Sequence, residues 1–455
     1  MAQLARELAG IGHVEASREL WQALQQAFPA SPAGWVGLAS LAARQQRWEE
    51  AMQGWTSAME RFPDRNEAVW KLGRARAMHR LGLDQEAEEV LRQALTLRPT
   101  AVGARQLLAH LLDRNGRLRE ALDVIEERLD ECLTDLSLQF VHLKLLTRLG
   151  ELPRALQAAH HALANTTSVD GLPGIVRLLP EMAAGDDLAD LIRHSQERLA
   201  ELAPNAAPMR QRQVAAELEL RLLLLGRRLK DFLRAWADTA PTDVPARVLS
   251  GYRRMAERMQ QPVSELLSQP RIFGIGLSKT ATTSLSRATE MLGLFPAHYQ
   301  NPITFEILDE EQALYFDACV DTPVSDLFER LYCLFPRAVF VHTVRQRDDW
   351  LPSLSRHHRF HFGTDDWGEL RRLTGLALAK PALTEWSLYF RHADARAAAD
   401  AHEERVRGFF DDKPADKLLT FDVFKGHGWP ELCNFLGRPQ PASIFPHENA
   451  LRDGD

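Results

Sequence analysis

Residues 273–293 read FGIGLSKTATTSLSRATEMLG. A short apolar run carries Gly274 and Gly276, Lys279 stands at the turn, and Thr280, Thr282, Thr283 and Ser284 lead into an amphipathic segment. Strand, loop and helix in that order make an anion site. The N–H groups that open a helix point at the ligand, hydroxyls add donors, and a lysine adds a compact positive charge. Neither standard nucleotide loop fits. GxGxxG needs a glycine where Lys279 stands, and GxxxxGK[ST] needs one where Ser278 stands. Two readings stay open: a loop that grips a phosphate, or a Ser/Thr-rich helix cap beside a solvated lysine.

A second constellation lies in FPRAVFVHTVRQRDDWLPSLSRHH. An apolar run leads into Arg345, a helix is expected from near Asp348, and Ser353 follows Arg345 by eight residues. An arginine at a strand end can grip a phosphate through two parallel hydrogen bonds, with a helical serine closing on the same group. The alternative is a surface arginine paired with Asp348 or Asp349. In RHHRFHF, His357 and His361 are four apart, but no HExxH pattern or third ligand accompanies them. No metal is therefore expected, and this helix face is assigned to the neighbourhood of an acceptor or cofactor.

The elements that must position these residues alternate. RIFGIG (271–276), YFDACV (315–320), AVFVHTV (338–344) and KLLTFDV (417–423) are short, apolar and rich in strand formers, with helical patterns between them. Such alternation predicts a parallel sheet covered on both faces, with ligands beyond the carboxyl ends of its strands.

The first half is built differently. RWEEAMQGWTSAMERFP, LDQEAEEVLRQALTLRP and RLREALDVIEERLDE share one pattern. Its alanine recurs at Ala16, Ala51, Ala87, Ala121 and Ala155, at intervals of 35, 36, 34 and 34. Gly82, Gly116 and Gly150 fall 34 apart, and prolines close the pattern at Pro29, Pro63 and Pro99. One helical pair cannot bury its apolar face alone, so neighbours must stack. The period resembles the tetratricopeptide repeat. The expected fold is an α-solenoid of such repeats over 1–165, a helical connector or degenerate repeats over 166–268 with a break near APNAAP, and an α/β P-loop-type three-layer domain with a parallel sheet over 269–455. By analogy the array takes a peptide or protein partner; a structural or dimerising scaffold is the alternative. Trp35, Trp48, Trp55 and Trp70 are expected to pack the helix pairs.

Bulk properties limit the partners. A net charge of −7 with no long basic run argues against nucleic acid. Cys132, Cys319, Cys333 and Cys433 form no CxxC pair, so neither a disulfide framework nor a cysteine zinc site is expected. The start of the chain has no sustained apolar segment of signal-peptide type, and no run is long and apolar enough for a membrane span. A soluble cytoplasmic protein is the expectation.

SKTATTSL resembles the loop of the sulfotransferases that holds the 5′-phosphosulfate of 3′-phosphoadenosine 5′-phosphosulfate (PAPS). Arg345 and Ser353 are similar to their 3′-phosphate element. The resemblance spans roughly 271–450, and the tail LLTFDVFKGHGWPELCNFLGRPQPASIFPHENA is similar to the closing segment of a subfamily that shares DTPVSDLFERLYCLFP. The sequence departs at Ala281, where glycine is usual and where a methyl group is expected to be tolerated if φ is negative. It also lacks an evident GxxGxWK motif. The resemblance implies PAPS as donor, 3′-phosphoadenosine 5′-phosphate (PAP) as product, and residues 278–284 (Ser278, Lys279, Thr280, Ala281, Thr282, Thr283, Ser284) with Arg345 and Ser353 as the cofactor site. Lys279 would stabilise the leaving phosphate. In small-molecule members a catalytic histidine stands two residues before a proline; Asp321 holds that place before Pro323, with His298 of FPAHYQN its rival as general base. A carboxylate at Asp321 can equally cap the helix expected from Pro323. The acceptor is a hydroxyl or amine of a carbohydrate, peptide or small molecule. The alternatives are an interaction scaffold without turnover and, less well matched, a nucleotide-dependent kinase.

Overall fold

A computed structural model describes residues 1–65, 67–130, 135–206, 209–238, 246–362, 364–375 and 384–447. Cys132, the end of APNAAP and the end of the tail lie outside them. The chain divides into two compact units, Met1–Leu145 and Leu146–Asp455.

The first unit is a run of paired helices: α1 (Ala2–Gly10), α2 (Val14–Ala27), α3 (Ala33–Arg44), α4 (Trp48–Arg61), α5 (Ala68–Arg80), α6 (Asp84–Leu97), α7 (Val102–Arg114), α8 (Leu118–Glu126), and α9 (Leu136–Arg148), which runs past its boundary. The repeat is visible in the backbone. Left-handed residues close the first helix of each pair at Gly12, Gln46, Gly82, Gly116 and Gly150, with φ of 89°, 60°, 79°, 68° and 71°. Ala51, Ala87, Ala121 and Ala155 are fully buried, as small contact residues should be. Ala16 is a correction: it is exposed, and the buried small residue is Ser17, 34 before Ala51. Serine fits there because its hydroxyl finds an acceptor at the point of closest approach, the Ala5 carbonyl at 2.7 Å. Trp55 and Trp70 are buried. Trp35 and Trp48 are half-covered, with Arg61 and Arg80 over their rings.

The second unit opens with α10 (Leu152–Asn165), α11 (Leu172–Met182), α12 (Gly185–Leu202), α13 (Met209–Leu225), α14 (Leu229–Asp238), α15 (Ala246–Met259) and α16 (Val263–Leu267). The α/β part follows as β1 (Arg271–Gly274), α17 (Thr282–Met291), β2 (Pro296–His298), β3 (Ala318–Val320), α18 (Val324–Leu334), β4 (Ala338–Thr343), α19 (Arg347–Phe362), α20 (Trp367–Gly375), a π-helical turn (Trp386–Phe390), α21 (Ala395–Phe410), β5 (Leu418–Phe421) and α22 (Trp429–Leu436). The strands are all parallel, in the order β2-β3-β1-β4-β5. One face buries Phe273, Phe316, Phe328, Phe340 and Phe410. The other buries Ile272, Leu285, Val320, Val341, Phe421 and Leu432. The three layers are thus realised. All four apolar runs are strands, and β2 adds a fifth too short to announce itself by alternation.

Chain order reverses beside β1, with β3 on one side and β4 on the other, so its carboxyl end lies where such folds bind ligands. The helices before the sheet hold the segment after β2. Arg221 lies 4.1 Å from the Phe305 ring and donates to the Ile303 carbonyl. Arg227 pairs with Glu306 at 3.0 Å and Glu311 at 2.8 Å.

Candidate active site

The loop from β1 to α17 is fixed by neighbours on several sides. A Cβ on Gly276 would stand 1.9 Å from Thr343 Oγ1, so only glycine lets the loop pass this close to β4. Ser278 N–H donates to the Tyr389 hydroxyl at 2.8 Å, its carbonyl accepts from Trp350 Nε1 at 2.9 Å, and its hydroxyl reaches Asp321 Oδ1 at 3.3 Å. Thr280 Oγ1 bonds the Leu277 carbonyl at 2.6 Å and Thr343 Oγ1 at 2.7 Å. The Thr280 hydroxyl is thus used within the loop. His402 donates from Nε2 to the Ile275 carbonyl at 2.7 Å, and burial pushes its imidazole down to about 4.

Held this way, Lys279 and Ala281 take φ of 69° and 78°. The expected negative φ at Ala281 is not found. The position is left-handed, which is why glycine is favoured there, and the methyl group costs about 1 kcal/mol. Ala281 also precedes the first turn of α17, whose opening N–H groups have no partner in the helical ladder. Among the described residues no carboxylate pairs with Lys279.

His298 and Asp321, expected as rivals, are one pair. β2 and β3 run side by side with His298 opposite Val320, and His298 Nε2 lies 3.2 Å from Asp321 Oδ2. The same nitrogen lies 3.3 Å from Thr282 Oγ1 and 3.4 Å from Thr283 Oγ1. Asp321 does not cap α18: Pro323 holds the cap position, and the Asp321 carboxylate faces Ser278 and His298. Asp321 and Tyr299 are left-handed too, with φ of 78° and 65°.

Glu385, just before the π-helical turn, stands near Asp321. Desolvation and then the Asp321 charge push its carboxyl up to about 8. Desolvation, followed by the charges of Glu385, Glu181 and Asp321, raises the Tyr299 phenol.

Arg345 lies on the other side of the loop. Its guanidinium stacks on Phe424 at 4.1 Å and donates to the Lys279 carbonyl at 3.4 Å, while its Nε is buried without a partner. Asp348 is taken by Arg396 at 2.7 Å. Ser353 accepts from Arg356 at 3.5 Å, and Arg356 adds a charge beside Arg345. On the same helix, desolvation, then His361 and then Lys279 hold His357 down at about 2. It is a neutral imidazole on the Lys279 side. Among the described residues no three His, Cys, Asp or Glu side chains form a metal-holding group, and no helix is long and apolar enough to cross a membrane.

An unpaired lysine on a rigid loop, with an arginine whose Nε is unsatisfied beside it, is an arrangement for a ligand with more than one anionic group. Residues 271–453 match the family model described as a sulfotransferase domain. They are a sulfotransferase domain. The chain is 24% identical over 216 residues to Ava biosynthesis cluster protein M of Aspergillus versicolor, covering 39% of this chain and 80% of that protein. Solved structures similar to it include the C-terminal part of a TPR repeat-containing protein from Cytophaga hutchinsonii (13% identity, 55% of this chain and 98% of that one, TM-score 0.40). Another is a tetratricopeptide repeat protein from Parabacteroides merdae (14% identity, 56% and 96%, TM-score 0.35).

Sequence reasoning missed Glu385, Tyr389, Arg356 and Phe424. Arg356 was within reach, three residues after Ser353 on a predicted helix and so on the same face. The others come from segments that only the fold brings to the loop.

Proposed function

We propose that the sulfotransferase domain moves a sulfuryl group from PAPS to a hydroxyl, or an amine, of a carbohydrate, peptide or small-molecule acceptor. The observation that carries this is the pairing of an uncompensated Lys279 on a locked loop with Arg345, whose Nε is buried and unsatisfied. The residues fit the donor. Lys279, the N–H groups that open α17 and the hydroxyls of Thr282 and Thr283 would hold the 5′-phosphosulfate. Arg345, Ser353 and Arg356 would hold the 3′-phosphate.

When bound, the donor supplies the sulfuryl group and a phosphate as leaving group. The protein's part is positioning and charge stabilisation, as in phosphoryl transfer. Lys279 faces the charge that builds on the leaving oxygen. The strained, pinned loop keeps its donors aimed without reorganisation. The acceptor's proton goes to a carboxylate on the other wall, where Asp321 with His298, and Glu385, are the groups at hand. The relative's place in a biosynthesis cluster supports a small-molecule acceptor. The repeat array would recruit a peptide or protein partner.

Calorimetric titration with PAP in the absence of magnesium tests the reading. Binding by the parent, weakened in Arg345→Ala, is the expected result. No binding by the folded parent would leave the interaction-scaffold reading in its place.

A further inference from the structure

We propose that Glu385, rather than Asp321, takes the proton of the acceptor, with Asp321 and His298 acting as positioning residues; the proposal rests on the sulfotransfer reading above.

The two carboxylates differ in what surrounds them. Asp321 is nearly buried and both its oxygens are engaged, Oδ1 by Ser278 and Oδ2 by His298. A substrate proton would have to compete with Ser278 or His298 for either oxygen. Glu385 keeps part of its surface open. Among the described residues its carboxylate has neither an ion pair nor a hydrogen bond. An enclosed glutamate is ordinarily paired, and one left unpaired beside a reaction centre marks a working group.

Its position is fixed by the chain. Glu385 opens the π-helical turn that carries Tyr389, and the Tyr389 hydroxyl is bonded to Ser278 N–H in the loop. Ser387, on the same turn, is bonded to Asp326 of α18 at 2.8 Å. Single π turns inside helical segments are frequent at functional sites because they re-aim one side chain. The charged and titratable groups facing Glu385 are Asp321 at the end of β3, Tyr299 after β2 and Tyr389 on its own turn, with Glu181 of α11 beyond Tyr299. Burial, and after it the like charge of Asp321, poise Glu385 near neutrality, which suits a general base.

In the step, an acceptor hydroxyl oxygen bonds sulfur while its proton passes to a Glu385 oxygen. The bond from sulfur to the bridging oxygen breaks, and its electron pair stays on the nucleotide phosphate beside Lys279.

The test uses the full chain with isotope-labelled glutamate carboxyls. Calorimetry with PAP comes first, and Glu385→Gln should bind it within about 3-fold of the parent, since Glu385 faces the acceptor wall. A parent that does not bind PAP overturns the sulfotransfer reading; binding by both proteins isolates the question of the proton. In an NMR pH titration one carboxyl resonance should have a midpoint far above the other glutamates, vanish in Glu385→Gln and move to lower pH in Asp321→Asn. A Glu385 resonance that titrates with the other glutamates overturns the assignment. Release of radiolabelled sulfate from PAPS, with water as acceptor, should fall by about 100-fold or more in Glu385→Gln and lose its rise with pH. It should recover in part in Glu385→Asp. A Glu385→Gln enzyme with the parent's rate and pH profile overturns the proposal.

Discussion

The same backbone conformation recurs in the two units for different reasons. In the repeat array the left-handed residue closes the first helix of a pair, and there is space around it: a Cβ on Gly82 would meet nothing within 4 Å. Sterics with neighbours do not demand glycine there. The backbone alone does, and at one repeat Gln46 adopts the same turn at φ 60°. In the sulfotransferase domain Gly293, Gly426 and Gly437 are left-handed, and so are five residues with side chains: Lys279, Ala281, Tyr299, Phe305 and Asp321. Of these five, all but Phe305 stand about one site, where several neighbours hold them in place. A left-handed turn that repeats with the period is architecture. A cluster of left-handed side chains at a strand end is strain retained for function.

The sharpest test of that contrast is Lys279→Ala. If the loop is strained to aim this ammonium at charge that appears only in the transition state, sulfate transfer should drop by about 100- to 1,000-fold, with PAP affinity changed by about 10-fold at most. Transfer kinetics beside calorimetry measure both. A loss of affinity as large as the loss of rate would make Lys279 a ground-state anchor instead.

Arg345→Ala should act the other way. Losing a charged, stacked donor to a phosphate is worth about 1.5–3 kcal/mol, or roughly 10- to 100-fold in PAP affinity. Arg356→Ala, at a more exposed position, should lose less. Equal losses would place the 3′-phosphate nearer α19 than the strand end.

Glu385→Gln makes the contrast visible in stability. The Glu385 carboxyl lies at about 8 against an ordinary 4.5, so the folded state binds its proton more tightly. The penalty for an ionised Glu385 is absent at pH below about 4.5, grows as the pH rises, and is complete above about 8. The variant should therefore gain on the parent across that window, by roughly 1–3 kcal/mol at its upper end. Denaturant unfolding at three pH values checks the sign. A gap that narrows with rising pH would mean that Glu385 is paired.

How much of this was legible before the structure depended on whether the signal was local. The repeat period, the strand–loop–helix unit at Lys279 and the strand that ends two residues before Arg345 are local patterns, and all appear in the fold. Strand β2 was not legible, because three residues beginning with a proline carry no alternation. With it went the fact that His298 and Asp321 are neighbours rather than rivals, a consequence of strand order. Glu385 was still further from reach. It is tied to the loop by one tyrosine hydroxyl across 111 residues of chain, and nothing in EWSLYF announces that. Ser17 shows the opposite limit: alanine was matched by type, whereas the contact asks only for a small residue with its polar atom satisfied.

The smallest effects compare the two kinds of turn directly. Ala281→Gly should relieve the methyl group at φ 78°. The gain is bounded by the 1–2 kcal/mol cost of the left-handed region and reduced by the extra freedom glycine has when unfolded, leaving a few tenths to about 1 kcal/mol. Gln46→Gly, at φ 60° in the array, should give a similar or smaller gain by the same arithmetic. The two variants should differ in what else changes. Gln46 belongs to the repeat array and not to the proposed donor site, so its replacement should leave PAP binding untouched. Ala281 precedes the opening N–H groups of α17, so a more flexible residue there should loosen the loop and weaken PAP by about 2- to 5-fold even as unfolding becomes harder. Stability and affinity moving in opposite directions at Ala281, but not at Gln46, is what separates strain that serves a site from a turn that serves a repeat. If both variants only stabilise, the left-handed loop is architecture as well.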